Sequence, residues 1–186
     1  MKRIVFIDGD GTLWYPSKTK YNDVPWWVYE NPQTKGNPLT HLTLIPNVKV
    51  ELRKLRSSGM ILVLLSTQPG NTKAERLESL MRKVRHFRLE RYFDEFRAAR
   101  RGPRPKGRFT PDRKDLEMLD VLKRRGIPKS QALMVGDSYA NDYLPARGAG
   151  VDALLVNNFR HIEGSKWYNR VRRKERYLGS VLKYVK

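Results

Sequence analysis

Cysteine is absent from the sequence, and histidine is scarce. Without cysteine the protein can have no disulfide bond, no thiolate metal site and no cysteine nucleophile. The three histidines, His41, His86 and His161, share no spacing that is typical of a metal site. Any metal ion should therefore be a hard cation that oxygen atoms bind.

Long apolar runs are also missing. No stretch approaches the roughly 20 apolar residues that span a bilayer, and the amino terminus shows no cleavage-site pattern. We therefore expect a cytoplasmic protein that does not contact membranes. Its 186 residues, of which 39% are hydrophobic, suit a single domain over residues 1–186 with a sizeable core. We expect a monomer or a small homo-oligomer.

Acidic residues are few, with 19 of them against 38 lysines and arginines, for a net charge of +19. The excess is concentrated in two segments, residues 97–113 with seven basic residues and one acid, and residues 160–186 with nine and two. Such clusters attract nucleic acid, acidic proteins or phosphorylated substrates. A surface rich in lysine and arginine is also typical of heat-adapted proteins, so both interpretations stay open.

Apolar residues recur with the periods of strands and helices in alternation. Strands are predicted at 3–8, 60–65, 93–99, 132–135 and 152–156, and helices at 47–58, from Asn71 or Thr72 to Phe87, at 112–125 and at 144–147. The predicted buried stripes of the second and third helices are Ala74, Leu77, Leu80, Met81, Val84 and Phe87, and Leu116, Leu119 and Leu122. The alternation predicts an α/β fold in which helices cover both faces of a parallel sheet.

Two regions depart from this alternation. Residues 14–45 combine five tryptophans and tyrosines in 14–27 with repeated prolines, which favours an aromatic flap over a site. Residues 160–186 are predicted to form a basic helical extension, with a helix over 166–185.

Polar residues follow three of the predicted strands, and the carboxyl ends of parallel strands are where ligands bind in such sheets. Asp8 and Asp10 follow the first strand, Ser66 and Thr67 end the second, and the segment 136–142 follows a later one. Asp8 and Asp10 can point to the same side if the strand continues through Gly9. Two such carboxylates repel one another, which a bound cation would relieve. The alternative is a simple Asp-Gly turn.

The strings IDGDGT (7–12), LLSTQ (64–68) and VGDSYAND (135–142), with a lysine before a helix, occur in the order and on the elements of a known family. Together they resemble the haloacid dehalogenase-like phosphohydrolases over about residues 3–157, and are most similar to the magnesium-dependent phosphatase branch. This resemblance implies a Rossmann-like three-layer αβα sandwich with a small or absent cap domain. It also implies a Mg²⁺-dependent phosphatase that cleaves phosphate monoesters.

The resemblance implies a role for each motif residue. Asp8 would be the nucleophile that forms an aspartyl-phosphate, and Asp10 would be the general acid and later the base, which requires it to start protonated. A dehalogenase of this fold would lack the second aspartate, so Asp10 favours phosphoryl chemistry. Gly11 and Thr12 would help to bind the substrate.

The second motif would contact the phosphoryl group. Ser66 matches the hydroxyl that binds a phosphoryl oxygen in the family, and Thr67 is the adjacent alternative. The family also places a lysine near the nucleophile to offset negative charge. Lys114, at the start of a predicted helix, is favoured over Lys106, which lies in the preceding basic loop.

The family's metal site would hold Mg²⁺ through Asp8, the backbone carbonyl of Asp10, and Asp137. Asp142 would either bind the metal directly or support the site through water or Lys114. Without the other motifs, Asp137 would be interpreted as a turn residue and Asp142 as a helix cap.

A second hypothesis is a nucleic-acid or polyanion-binding protein on the same fold. The basic segments 97–113 and 160–186, with Tyr168, Tyr177 and Tyr184, would be its working surface. A third hypothesis joins the two, as a phosphatase specific for nucleic-acid ends. In each case the flap and the basic loop would select the natural substrate.

Overall fold

The structure is a computed structural model, and it describes residues 1–16, 37–102, 112–156, 174–175 and 178–185. The strands are β1 (Ile4–Ile7), β2 (Trp14–Pro16), β3 (Leu42–Leu44), β4 (Ile61–Thr67), β5 (Glu95–Ala99), β6 (Ala132–Gly136), β7 (Asp152–Val156) and β8 (Lys174–Glu175). The α-helices are α1 (Val48–Ser57), α2 (Lys73–Phe87), α3 (Lys114–Arg125), α4 (Leu144–Gly148) and α5 (Leu182–Val185). A π-helical turn at Tyr139–Tyr143 leads into α4.

The main sheet has the strand order β5-β4-β1-β6-β7-β8, and every neighbouring pair is parallel. All four residues of β1 are buried, as expected of a central strand. Ile7 at its end pairs with Leu64 on β4 and Val135 on β6. The ends of these three strands therefore meet at one edge of the sheet, as the sequence predicted.

The two faces of the sheet are covered by different helices. Val5 and Ile7 belong to a core cluster that includes buried residues of α1 and α2. Ile4 and Phe6 belong to a second cluster that includes buried residues of α3 and α4. This alternation along β1 is the expected consequence of strand geometry. The predicted three-layer αβα sandwich with a central parallel sheet is confirmed.

The buried face of α2 differs from the predicted stripe. Leu80, Val84 and Phe87 are buried as expected, but Ala74 and Leu77 are exposed. Arg76 and Lys83 are buried in their place. Because Lys83 contacts a partly buried carboxylate, described below, the helix turns this cation toward the interior.

The buried face of α3 also differs from the prediction. Leu122 is buried and Leu119 is partly buried, but Leu116 is 51% exposed. Lys114, Met118 and Val121 complete the buried face instead. As in α2, the helix presents a lysine to buried carboxylates.

Strands β2 and β3 form an antiparallel hairpin in which Trp14 pairs with Leu44. This hairpin forms the two ends of the predicted aromatic flap, whose residues 17–36 lie outside the described residues. Trp14 itself is fully buried and stacks on Phe87 at 5.7 Å between ring centroids. It is therefore a core residue rather than part of a flap surface.

The prediction of one basic helix over 166–185 is wrong where the tail is described. Lys174–Glu175 forms β8, which pairs with β7, and a 3-10 turn at Leu178–Val181 precedes the short α5. Leu178, Val181 and Val185 are buried in the same cluster as Val5. These apolar residues pack against the core of the sandwich, so the described part of the tail follows that core instead of forming one straight helix.

Within the described ranges, none of the helices has both the length and the apolar character that crossing a membrane requires.

Candidate active site

The chain leaves the central strand β1 at Asp8, whose N–H donates to the carbonyl of Val135 at 2.9 Å. It then bends at Gly9, where any Cβ would overlap the ring of Trp14. The strand therefore does not continue through Gly9, so the condition for Asp8 and Asp10 to share one side is not met. The carboxylate of Asp8 contacts a lysine of α3, and that of Asp10 contacts a lysine of α2, from the opposite face of the sheet.

Three carboxylates gather at the ends of β1 and β6. Asp8, Asp137 and Asp142 each present an oxygen, and these oxygens all lie within 4.8 Å of one another. Lys114 donates to Asp8 Oδ1 at 2.6 Å and to Asp142 Oδ1 at 2.5 Å. The N–H of Ser138 donates to Asp142 Oδ2 at 2.9 Å. We call Asp8, Asp137, Asp142 and Lys114 the Asp8 cluster.

The Asp8 cluster has more negative than positive charge, and its pKa values reflect this. Burial raises the pKa of Asp8 to about 7, with a contribution from the charge of Asp142 and opposition from Lys114. The pKa of Asp137 is raised well above its ordinary value by burial and by the charges of Asp142 and Asp8. Burial alone would lower the pKa of Lys114, but Asp142 and Asp8 outweigh it and raise the pKa. A hard cation would supply the missing positive charge, so these oxygen donors fit Mg²⁺.

Glycines allow the carboxylates of the Asp8 cluster to approach the backbone. Gly11 has a φ of +84°, and a Cβ there would overlap the carboxylate of Asp137. A Cβ on Gly136 would overlap the side chain of Asp142 in the same way. Thr12 Oγ1 donates to Asp137 Oδ1 at 3.4 Å. Gly11 and Thr12 thus lie beside Asp137, at the predicted site.

Asp10 has a separate set of partners. Lys83 donates to Asp10 Oδ1 at 3.0 Å and to Oδ2 at 2.8 Å. Trp14 Nε1 donates to Oδ1 at 2.9 Å, and Gln68 Nε2 donates to Oδ2 at 3.2 Å. We call Asp10, Lys83, Trp14 and Gln68 the Asp10 cluster.

The Asp10 cluster favours the charged carboxylate. Burial alone would raise the pKa of Asp10, but Lys83, Trp14 and Gln68 outweigh burial and lower the pKa below its ordinary value. Asp10 is therefore ionised in the described site, so the predicted role as general acid requires it to take up a proton first. The prediction missed Lys83, which is the main source of the effect.

The second motif divides between the two faces of the sheet, because neighbouring strand residues alternate. Ser66 is buried beside the Asp10 cluster, where its hydroxyl accepts from Gln68 Nε2 at 3.1 Å and donates to Asp10 Oδ2 at 3.5 Å. Thr67 Oγ1 is buried and has no hydrogen-bond partner within the described part of the chain. Ser66 and Thr67 are thus neighbours in sequence with different surroundings.

The structure places Lys114 in contact with Asp8, whereas Lys106 lies outside the described residues. Sequence reasoning missed Lys83, and it included Gln68 in a motif without giving it a role. A signal for Lys83 was present, because Leu80, Lys83 and Phe87 have the spacing of one helix face. A cation within an apolar stripe indicates a buried partner of opposite charge.

The basic segment that includes Lys106 is attached beside the site. The N–H of Gly102 donates to Asp112 Oδ1 at 3.0 Å, and the N–H of Asp112 donates to Asn141 Oδ1 at 3.4 Å. Asp112 lies two residues before Lys114, and Asn141 precedes Asp142. The two ends of the segment 103–111 are therefore joined next to the Asp8 cluster.

Comparison with models of known protein families identifies the family to which this parallel α/β sandwich belongs. The chain belongs to the haloacid dehalogenase-like hydrolases, because the model of that family matches residues 15–156. The matched range begins after Asp8 and Asp10 and includes Ser66, Lys114, Asp137 and Asp142. No curated protein matches the sequence.

Solved structures share the fold at low sequence identity. A haloacid dehalogenase-like hydrolase from Streptococcus pneumoniae is 17% identical with a TM-score of 0.68, covering 100% of this chain and 99% of that one. A HAD phosphatase from Thermococcus onnurineus is 20% identical with a TM-score of 0.63, covering 100% and 98%. A subfamily IA hydrolase from Geobacter sulfurreducens is 17% identical with a TM-score of 0.65, covering 100% and 97%. At these identities the likeness shows the fold alone.

Proposed function

We propose that this hydrolase is a Mg²⁺-dependent phosphatase that cleaves phosphate monoesters through an aspartyl-phosphate on Asp8. The observation that carries the proposal is the Asp8 cluster, in which a carboxylate at the end of the central strand meets two further carboxylates and a buried lysine. A carboxylate nucleophile needs positive charge around the phosphoryl group that it attacks. Lys114 is positioned to supply part of that charge.

Asp8, Asp137 and Asp142, with the backbone carbonyl of Asp10, would hold Mg²⁺. When bound, the cation supplies positive charge that offsets both the carboxylates and the substrate phosphate. Asp8 Oδ then forms a bond to phosphorus as the bond from phosphorus to the leaving oxygen breaks. Lys114 stays protonated throughout and holds Asp8 and Asp142 in place.

Asp10 would transfer protons in both halves of the reaction. It is ionised in the resting site, so it must take up a proton before it can give one to the leaving oxygen. A bound phosphate brings negative charge close to Asp10, which raises its pKa and favours this step. After the leaving group departs, the ionised Asp10 accepts a proton from the water that attacks phosphorus, and the bond from phosphorus to Asp8 Oδ breaks to release phosphate and the free carboxylate.

The second motif would bind the phosphoryl oxygens, and the turn after Asp10 would support it. Ser66 lies beside Asp10, and the buried hydroxyl of Thr67 has a donor available for a ligand oxygen. The N–H groups of Gly11 and Thr12 donate to the carbonyls of Trp14 and Gly9 at 2.8 and 3.2 Å, so these two residues would support the phosphoryl site by fixing the turn beside it. Hydroxyl donors are most effective where water is excluded.

The test is phosphate release from p-nitrophenyl phosphate by the purified protein, with and without Mg²⁺. We expect activity that depends on the divalent ion and is lost by at least about a thousandfold in Asp8→Asn, because the nucleophile is removed. Asp152→Asn is the matched control, since Asp152 lies at the opposite end of its strand and pairs with Lys2. A wild-type protein that is inactive with Mg²⁺, Mn²⁺ and Co²⁺ would contradict the proposal.

The described residues do not favour the polyanion-binding alternative. Arg97, within the first basic segment, pairs with Glu117 and Asp120, so part of that positive charge is neutralised internally. Tyr184 is partly buried against the core rather than available for stacking. Most of the two basic segments lies outside the described residues, so nucleic-acid binding and a preference for nucleic-acid ends stay predictions.

A further inference from the structure

Lys83 is one of the most buried charged residues in the described part of the chain, with a side chain that is 3% exposed. It lies on the face of α2 that packs through Leu80, Val84 and Phe87. A leucine or methionine would fill this position without the cost of burying an ammonium group. The ammonium group at this position therefore indicates that its positive charge has a role of its own.

The contacts of Lys83 fix both oxygens of one carboxylate. Lys83 donates to Asp10 Oδ1 and Oδ2 at 3.0 and 2.8 Å, while Trp14 and Gln68 each donate to one of the same oxygens. These donors come from α2, from β2 and from the loop after β4. A carboxylate that is bound from three directions has one orientation available to it.

The same contacts separate Asp10 from the Asp8 cluster. The oxygens that lie within 4.8 Å of one another belong to Asp8, Asp137 and Asp142, and those of Asp10 are not among them. Asp10 is only two residues from Asp8, so its side chain needs a restraint to stay out of a cation site. Lys83 on α2 provides that restraint from the face of the sheet opposite to Lys114.

We propose that Lys83 is a positioning residue that orients Asp10 toward the leaving oxygen of the substrate. The inference rests on the proposed phosphatase function, because it gives Asp10 its task. Losing Lys83 would also ease the protonation of Asp10, because Lys83 lowers its pKa. Proton transfer depends on distance and direction as well, so we expect the lost orientation to outweigh the easier protonation. The loss should be largest for substrates whose leaving oxygen needs a proton most.

The test compares two substrates in Lys83→Met, which keeps a side chain of similar length without the charge. Phenyl phosphate has a more basic leaving oxygen than p-nitrophenyl phosphate and depends more on an acid. We expect kcat on phenyl phosphate to fall by about 10- to 100-fold, because a misdirected Asp10 loses part of the roughly 10²- to 10⁴-fold that general acid catalysis contributes. On p-nitrophenyl phosphate we expect a loss of a few-fold, with KM little changed for both.

Three further variants separate positioning from a general effect on structure. Lys83→Arg keeps the charge and should restore part of the loss on phenyl phosphate. In an Asp10→Asn background, adding Lys83→Met should cause no further loss, because the two residues act as one unit. Lys2→Met is the matched control, since Lys2 is a buried lysine that pairs with Asp152 at 2.6 Å, away from the site. It should leave the ratio of the two substrates unchanged.

Equal losses on both substrates, or a full additional loss in the Asp10→Asn background, would overturn the proposal. If Lys83→Met does not fold, as judged by thermal unfolding, Gln68→Leu removes one donor to Asp10 and should shift the same ratio in the same direction. An unchanged ratio there would also overturn it. A wild-type protein that is inactive on both substrates would instead refute the phosphatase function itself.

Discussion

Two aspartates that are two residues apart in the chain have opposite electrostatic surroundings. Each is approached by a buried lysine, Lys114 for Asp8 and Lys83 for Asp10. The Asp8 cluster sets three carboxylates against one ammonium group, and the pKa of Asp8 rises to about 7. The Asp10 cluster pairs one carboxylate with one ammonium group, and the pKa of Asp10 falls. Burial is common to both sites, so the local balance of charge decides the direction.

This difference predicts that removing Lys114 will lower the free energy of unfolding more than removing Lys83. Lys114→Met leaves three neighbouring carboxylates without a cation and should lower the free energy of unfolding by about 3–5 kcal/mol in EDTA. Lys83→Met should cost less, about 1–3 kcal/mol, because Trp14 and Gln68 still donate to Asp10. Urea unfolding of both variants measures the difference.

Lys2→Met is the control for this pair, because Asp152 keeps Arg147 as a partner at 3.1 Å when Lys2 is lost. Saturating Mg²⁺ should recover part of the loss in Lys114→Met and none in Lys83→Met, since only the Asp8 cluster is expected to bind the ion. If Lys83→Met and Lys114→Met lost the same free energy of unfolding and Mg²⁺ restored the same part of it, the two clusters would not differ in charge balance.

The pH dependence of stability should have opposite signs at the two aspartates. The pKa of Asp8 is about 7 in the folded protein against an ordinary 3.8, so folding takes up a proton between these values. The free energy of unfolding should therefore fall as the pH rises from about 4 to about 7 in EDTA. The lowered pKa of Asp10 instead contributes stability above its ordinary pKa, and this is lost as the pH falls through the folded-state value.

Urea unfolding at a series of pH values, with Asp8→Asn and Asp10→Asn beside the wild type, separates these contributions. Asp8→Asn should reduce the slope between about pH 4 and 7, and Asp10→Asn should reduce the loss at lower pH. Identical slopes in all three proteins would contradict the assignment of either shift.

The smallest expected effect is a gain in stability that comes with a loss of cation binding. Asp137→Asn removes one surplus charge, so it should raise the free energy of unfolding in EDTA by less than the losses expected for the two lysine variants, because burial and the charges of Asp142 and Asp8 disfavour the ionised Asp137. The same change should weaken Mg²⁺ binding, measured by the shift of the unfolding midpoint with Mg²⁺ concentration. Asp115→Asn, which removes an exposed carboxylate paired with Arg113, is the control. Unchanged Mg²⁺ binding in Asp137→Asn would remove Asp137 from the proposed site.

The fold could be predicted because its strands are short apolar runs that end in polar residues. The predicted strands 60–65 and 132–135 lie within one or two residues of the ends of β4 and β6. Because both faces of these strands are buried, nearly all of their residues must be apolar, which makes them easy to recognise. The tail from 166 onward was harder. Its apolar residues fit a helical spacing, but Leu178 and Val181 lie in a 3-10 turn, where they are buried against the core of the sandwich.

The positions of site residues were predictable where a residue lies in a motif at a strand end or at the start of a helix, and not where it lies in the middle of a helix. Asp8, Asp137 and Lys114 come together as the order of motifs indicated. Lys83 is distant from Asp10 in sequence, and its role depends on the packing of α2 against the sheet. The helical spacing shows only that it is buried. It does not show which carboxylate it meets.

Hydrogen bonds fix the chain at both ends of two segments, residues 17–36 and residues 103–111. The hairpin β2–β3 fixes the chain on both sides of residues 17–36, and the bond from Gly102 to Asp112 does so for residues 103–111. Both junctions lie beside the aspartates. New sequences can therefore be inserted between them, by evolution or by grafting, without relocating the groups that the reaction requires. Under the proposed function, a change within either segment would alter the choice of substrate and leave the reacting groups in place.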